Sequence, residues 1–203
     1  MIKTVIFDLG NVIVNFDETK IFNAWAAASN KSVSEVIEYY KDSSARKSYE
    51  MGKISSREYY KCVLKELNMK MDFGKFKKVW NEIFTLNKDV EKIVKSLKGK
   101  YKLILLSNTN DMQYEYIKEN YRIVDIFDER VLSYKVGTRK PNPMIYIKTL
   151  LKAKTLPFNC AYFDDIPKFI NMAKFFGINV FQFKNADKLR NDLKKLKILT
   201  KHL

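Results

Sequence analysis

The chain has 203 residues, is 46% hydrophobic and contains only six Gly and four Pro, which fits one domain, or a core domain carrying an insertion, and excludes disorder. Its net charge is +15, but only six of its 38 basic residues are arginine, the preferred fork for bases and phosphates, and no nucleic-acid-binding motif is visible, so nucleic acid is not an expected partner. No apolar run approaches membrane-spanning length and no signal-peptide pattern opens the chain, so a cytoplasmic protein with no membrane partner is expected.

Val5, Ile6 and Phe7 form a short apolar run that reads as a buried strand. It ends on Asp8, and Gly10 and Asn11 turn the chain. Residues 18 to 85 then look all-helical. Glu18 to Ser29 carries Ile21, Phe22, Trp25 and Ala28 at helical spacing, and Ser32 or Ser34 caps a second helix with Val36, Ile37 and Tyr40. Gly52 to Ser55 is a break, Ser55 caps a helix to about Asn68, and Asp72 starts another that includes Phe76, Val79, Trp80, Ile83 and Phe84. The aromatic stripes of this block read as core.

From Asp89 the pattern changes. A helix spans Val90 to Leu97, and Tyr101 to Leu106 is a second apolar strand, ending in Ser107-Asn108. A helix follows from Asp111, and Phe127 to Leu132 holds a short strand. Gly137 to Pro143, a loop containing Lys140, feeds a helix through Tyr146 and Leu150. Cys160 to Phe163 is a third apolar strand, ending in Asp164-Asp165. After it come a helix from Pro167 to Phe176, a strand from Asn179 to Phe183 and a basic amphipathic helix from Ala186. Strands alternating with helices predict an α/β fold with a doubly wound, Rossmann-like parallel sheet. The helical block is a small cap inserted after the first strand. The expected division is 1–16 and 87–203 for the core and 17–86 for the cap.

The sole histidine is His202, and Cys62 and Cys160 suit neither a metal spacing nor a disulfide in a reducing compartment. Any acid–base or metal chemistry therefore falls to carboxylates, lysines and hydroxyls. Three strand ends supply them: Asp8, Ser107-Asn108 and Asp164-Asp165, with Lys140 in a loop between the second and third. Each has a plainer reading: Ser107 and Asn108 as helix caps, Lys140 as one lysine of many, Asp164-Asp165 as a helix start. Those readings do not explain all four in this order. A carboxylate can be a covalent nucleophile, and converging carboxylates call for a hard cation such as Mg²⁺, which brings a phosphate with it.

The ordered set resembles the haloacid dehalogenase superfamily of hydrolases, mostly phosphatases. Phe7-Asp8-Leu9-Gly10-Asn11-Val12 is similar to its first motif, Leu106-Ser107-Asn108 to the second, the Lys140 loop to the third and Phe163-Asp164-Asp165 to the fourth. The first motif most resembles a subgroup that includes sugar-phosphate phosphatases and the phosphatase domain of soluble epoxide hydrolases. The resemblance implies Asp8 as the nucleophile, Ser107, Asn108 and Lys140 as phosphoryl-binding residues, and Asp8, the Gly10 carbonyl, Asp164 and Asp165 around Mg²⁺. It implies a small phosphorylated metabolite, a sugar phosphate, as substrate. The assembly is expected to be a monomer or homodimer.

The chain departs from the family at Gly10, where most of these phosphatases carry a second aspartate as general acid and base. Asp17 is the candidate replacement. Ile166 and Phe169 also stand where small or polar residues are usual. Two other functions compete: a metal-independent 2-haloacid dehalogenase, and a catalytically weak member that binds a ligand or a protein.

Overall fold

The computed structural model describes residues 1–199, so His202 lies outside the described residues. β1 (Thr4–Phe7), β4 (Lys102–Ser107), β5 (Glu129–Leu132), β6 (Cys160–Asp164) and β7 (Asn179–Gln182) form one sheet in the order β5-β4-β1-β6-β7. All four pairings are parallel. The three apolar strands foreseen in the sequence are the three central ones, and each is almost wholly buried. Alternation along them divides the core. Val5, Phe7, Leu103, Leu105, Ala161 and Phe163 face one apolar cluster, built with α6 (Lys88–Leu97), α7 (Asp111–Asn120) and α11 (Ala186–Lys195). Ile6, Ile104, Leu106, Cys160 and Tyr162 face the other, built with α9 (Pro143–Ala153) and α10 (Pro167–Phe175). A period of two on strands covered on both faces is what a doubly wound sheet requires.

Five helices, α1 (Thr19–Ala28), α2 (Val33–Asp42), α3 (Ser44–Glu50), α4 (Ser56–Glu66) and α5 (Phe73–Asn81), lie between β2 (Val14–Phe16) and β3 (Phe84–Leu86). Ser32 with Glu35 and Ser55 with Glu58 form capping boxes that start α2 and α4. The block has its own apolar cluster, in which Trp25 stacks on Phe76 and Trp80 with centroids 5.5 and 5.8 Å away.

Two features differ from the sequence reading. α5 ends at Asn81, and Phe84 belongs to β3, paired antiparallel opposite Phe16 of β2. This two-stranded ribbon ties together the two chain segments that enter and leave the helical block. α3 is also a separate helix. Ser43 closes α2 and accepts a hydrogen bond from the Arg46 amide at 3.1 Å, so one residue both ends a helix and caps the next.

α3 seats the block on the sheet domain. The Tyr49 hydroxyl donates to the Asp111 carboxylate at the start of α7. Gly52 has φ +67°, and a Cβ there would stand 2.2 Å from the carbonyl oxygen of Tyr134, in the short helix α8 (Ser133–Val136). Among the described residues, no helix is long and apolar enough to cross a membrane.

Candidate active site

The parallel register brings the carboxyl ends of β1, β4 and β6 to one edge. Phe7 pairs with both Leu105 and Phe163, so Asp8, Ser107 and Asp164 all fall at or just beyond the last paired residues. β1 lies between strands on opposite sides of the chain's crossover, the position where open α/β sheets form their ligand crevice. A cleft of about 460 Å³ opens there, lined from the sheet side by Asp8, Ser107, Lys140 and Asp165 and from the helical block by Glu18, Arg46 and Glu50.

Lys140 organises the floor. It is only 1% exposed. Its ammonium lies 2.9 Å from Asp8 Oδ1 and 2.7 Å from Asp164 Oδ2, and it also donates to the Leu106 carbonyl at 3.2 Å. The Phe169 ring closes over it at 4.9 Å, so an apolar residue at this unexpected place becomes a cation–π partner. Burial works to lower the Lys140 pKa, but the charges of Asp8 and Asp164 outweigh it and hold the ammonium above its ordinary range. Asn108, expected to touch phosphate, commits both ends of its side-chain amide to the Lys140 backbone: Oδ1 accepts from the Lys140 amide at 2.7 Å and Nδ2 donates to its carbonyl at 3.0 Å.

The carboxylates are not equivalent. Asp164 is fully buried; Oδ1 accepts from the Ile166 amide at 2.8 Å, and Oδ2 takes Lys140 and the Tyr162 hydroxyl. Asp8 accepts from the Leu9 amide at 2.7 Å and from Lys140, both on Oδ1. Asp165 is half-buried and accepts from Asn11 Nδ2 at 3.1 Å. Asn11 reaches it from a left-handed turn, φ +54°, a conformation asparagine tolerates better than most residues. The three carboxylates place oxygens within 4.8 Å of one another. One ammonium does not balance three carboxylates. Burial, reinforced by the charge of Asp164 and opposed by Lys140, pushes Asp8 up to about 7. Asp165 is raised as well, first by burial and then by Asp164. An all-oxygen donor set with unrelieved negative charge fits a hard divalent cation.

Gly10 is explained by its neighbour. A Cβ at this position would stand 2.8 Å from Phe16 Cε1, so the Phe16 ring fills the space an aspartate side chain would need. Asp17, the candidate replacement, is not among the residues that line the cleft. It is exposed, and its carboxylate accepts from the Thr19 amide and hydroxyl, which lower its pKa and make it a poor proton donor. Sequence reading also missed a cluster on the cleft wall: Glu50, between Arg46 at 3.1 Å and Arg139 at 2.9 Å, with Glu18 accepting from the Tyr40 hydroxyl at 2.8 Å. Only the position of Arg139 beside Lys140 could have hinted at it.

A family model described as haloacid dehalogenase-like hydrolase matches residues 2–177. The chain belongs to the haloacid dehalogenase-like hydrolase family. The hydrolase is 27% identical over 201 residues to the D-ribitol-5-phosphate phosphatase of Bacteroides thetaiotaomicron, covering 95% of this chain and 97% of that one. Its fold is shared by a haloacid dehalogenase family enzyme of the same organism, solved with magnesium and inorganic phosphate. There the TM-score is 0.82 at 23% identity, over 91% of this chain and 96% of the other. A haloacid dehalogenase-like hydrolase structure from Porphyromonas gingivalis gives a TM-score of 0.85 at 19% identity, over 98% and 100% of the two chains.

Proposed function

We propose that this hydrolase is a Mg²⁺-dependent cytoplasmic phosphatase, a monomer or homodimer, that cleaves the phosphate monoester of a small sugar or sugar alcohol. The observation that carries the reading is the carboxylate of Asp8, held 2.9 Å from a buried ammonium at the mouth of a cleft shared with Asp165 and Ser107. Similarity along nearly the whole chain to a ribitol-phosphate phosphatase supports the substrate class. The division we adopt is a core of 1–16 and 87–203 and a cap of 17–86.

Asp8, Asp165 and the Gly10 carbonyl would hold the ion, with Asp164 adding charge beside them while its oxygens keep Lys140 in place. When bound, the ion neutralises the carboxylates and the phosphate oxygens. Lys140 and the Ser107 hydroxyl bind the phosphoryl oxygens. Asp8 attacks phosphorus, the bond from phosphorus to the ester oxygen breaks, and the departing alkoxide takes its proton from water, since residue 10 carries no acid. A second water then attacks the phosphoryl group on Asp8, loses a proton to solvent, releases inorganic phosphate and restores the carboxylate. The absent acid is worth about 10²–10⁴-fold in rate, so turnover should fall steeply as the leaving group becomes more basic.

Phosphate release from p-nitrophenyl phosphate and from a panel of sugar phosphates tests the reading. Release should require Mg²⁺, stop on chelation and drop to background in Asp8→Asn. Phosphate release that persists in chelator, or chloride release from 2-chloropropionate in chelator, would contradict it.

A further inference from the structure

The cleft has a second wall whose chemistry the hydrolytic step does not use. Glu50, on α3, has a side chain nine-tenths buried, with Arg46 Nη1 3.1 Å from one oxygen and Arg139 Nη2 2.9 Å from the other. Arg46 is held by two further contacts. Arg46 donates from Nε to the Tyr40 carbonyl at 3.1 Å, and its guanidinium lies 4.3 Å from the Tyr40 ring centroid. Tyr40 in turn donates to Glu18 at 2.8 Å. Among the described residues, Glu50 Oε2 and Arg139 Nε are buried without a hydrogen-bond partner, the Arg139 contact being a close approach of charges that is off the hydrogen-bond direction. Buried polar atoms normally find partners. Both residues line the cleft, and an acceptor and a donor without partners in its wall match a ligand hydroxyl, which both gives and accepts.

Charge sharpens the choice. Two arginines alone would suit a second anionic group. Here Glu50 and Glu18 line the same wall and balance them. The wall is therefore neutral overall and offers both donors and acceptors, while at the other end Lys140, with the exposed Lys168 nearby, is the cation placed to meet the transferred phosphoryl group. We propose that Arg46, Glu50 and Arg139, with Glu18, form a specificity subsite that reads the neutral hydroxyls of the leaving group and excludes substrates carrying a second phosphate. The proposal rests on the phosphatase reading above and deepens it. A cleft of about 460 Å³ accommodates a five- or six-carbon monophosphate. A second phosphate on the far carbon would meet two guanidiniums already offset by two carboxylates, and so would be desolvated with no net counter-charge to receive it.

The experiment compares matched pairs with the wild-type protein and Mg²⁺: fructose 6-phosphate against fructose 1,6-bisphosphate, and ribulose 5-phosphate against ribulose 1,5-bisphosphate, with p-nitrophenyl phosphate reporting the chemistry alone. The monophosphate of at least one pair should exceed its bisphosphate in kcat/KM by about a hundredfold, mostly through KM. Glu50→Gln keeps the volume and removes the charge; it should narrow that ratio at least about tenfold, by raising KM for the monophosphate and lowering it for the bisphosphate. Bisphosphates hydrolysed as well as or better than monophosphates by the wild type would overturn the subsite, as would a Glu50→Gln protein whose ratio is unchanged. Failure to hydrolyse p-nitrophenyl phosphate would instead remove the phosphatase reading, and the subsite with it.

Discussion

At the scale of single residues, Lys140 links stability to chemistry. It is a buried cation touching two buried carboxylates, and such a group is held by its partners as much as it holds them. Replacing it leaves Asp8 and Asp164 without their counter-charge. Lys140→Met should therefore lose about 3–5 kcal/mol of stability in chelator at neutral pH, read by urea denaturation. The loss should shrink in acid as Asp8, whose pKa burial already raises to about 7, takes up its proton. A neutral substitution would mean that the ion pairs contribute nothing net. The site residues were legible because each of Asp8, Ser107 and Asp164 closes a buried apolar strand, and parallel strands in register bring such ends together. Asp17, which does not line the cleft, shows the opposite case. Nearness in sequence does not set direction, and its carboxylate folds back onto Thr19 at the outer start of α1. Glu50 and Arg139 meet only through tertiary structure, and no local pattern announces such a pair.

At the scale of elements, the central strands and most helices follow from periodicity and caps, because both signals are local. β2 and β3 are three residues each and pair across the whole helical block. Neither is long enough to show an alternation, so the ribbon was invisible and Phe84 was absorbed into the preceding helix. α3 was hidden because Ser43 serves two helices at once. That helix carries Tyr49 and Glu50 and leads to Gly52, so the way the cap sits on the core was hidden with it. Gly52 is the sharpest test of this seating. An alanine there needs a left-handed backbone and meets the Tyr134 carbonyl. Gly52→Ala should cost about 1–3 kcal/mol in denaturant unfolding and raise KM by displacing Glu50. Unchanged stability and KM would show that α3 does not fix the cap.

At the scale of the whole molecule, the site concentrates negative charge in a protein that is otherwise strongly basic, +15 overall. Asp8 has an ordinary pKa of 3.8 and is pushed up to about 7 in the folded protein, by burial first. The native state then binds more protons than the unfolded chain between those values, so this group's contribution to stability falls as pH rises from about 4 to about 7 and is level above that. A divalent ion competes with that proton. Mg²⁺ should therefore raise the melting temperature more at pH 8 than at pH 5. An equal or reversed shift would argue that Asp8 is not at the ion site.

The central claim is that Asp8 itself carries the phosphoryl group between its two transfers. Acid quenching during turnover of p-nitrophenyl phosphate with Mg²⁺, followed by peptide mass mapping, tests it most directly. The account predicts one phosphoryl group on the peptide containing Asp8, absent from Asp8→Asn. An adduct on another residue, or an Asp8→Asn protein that still releases phosphate at the wild-type rate, would contradict it.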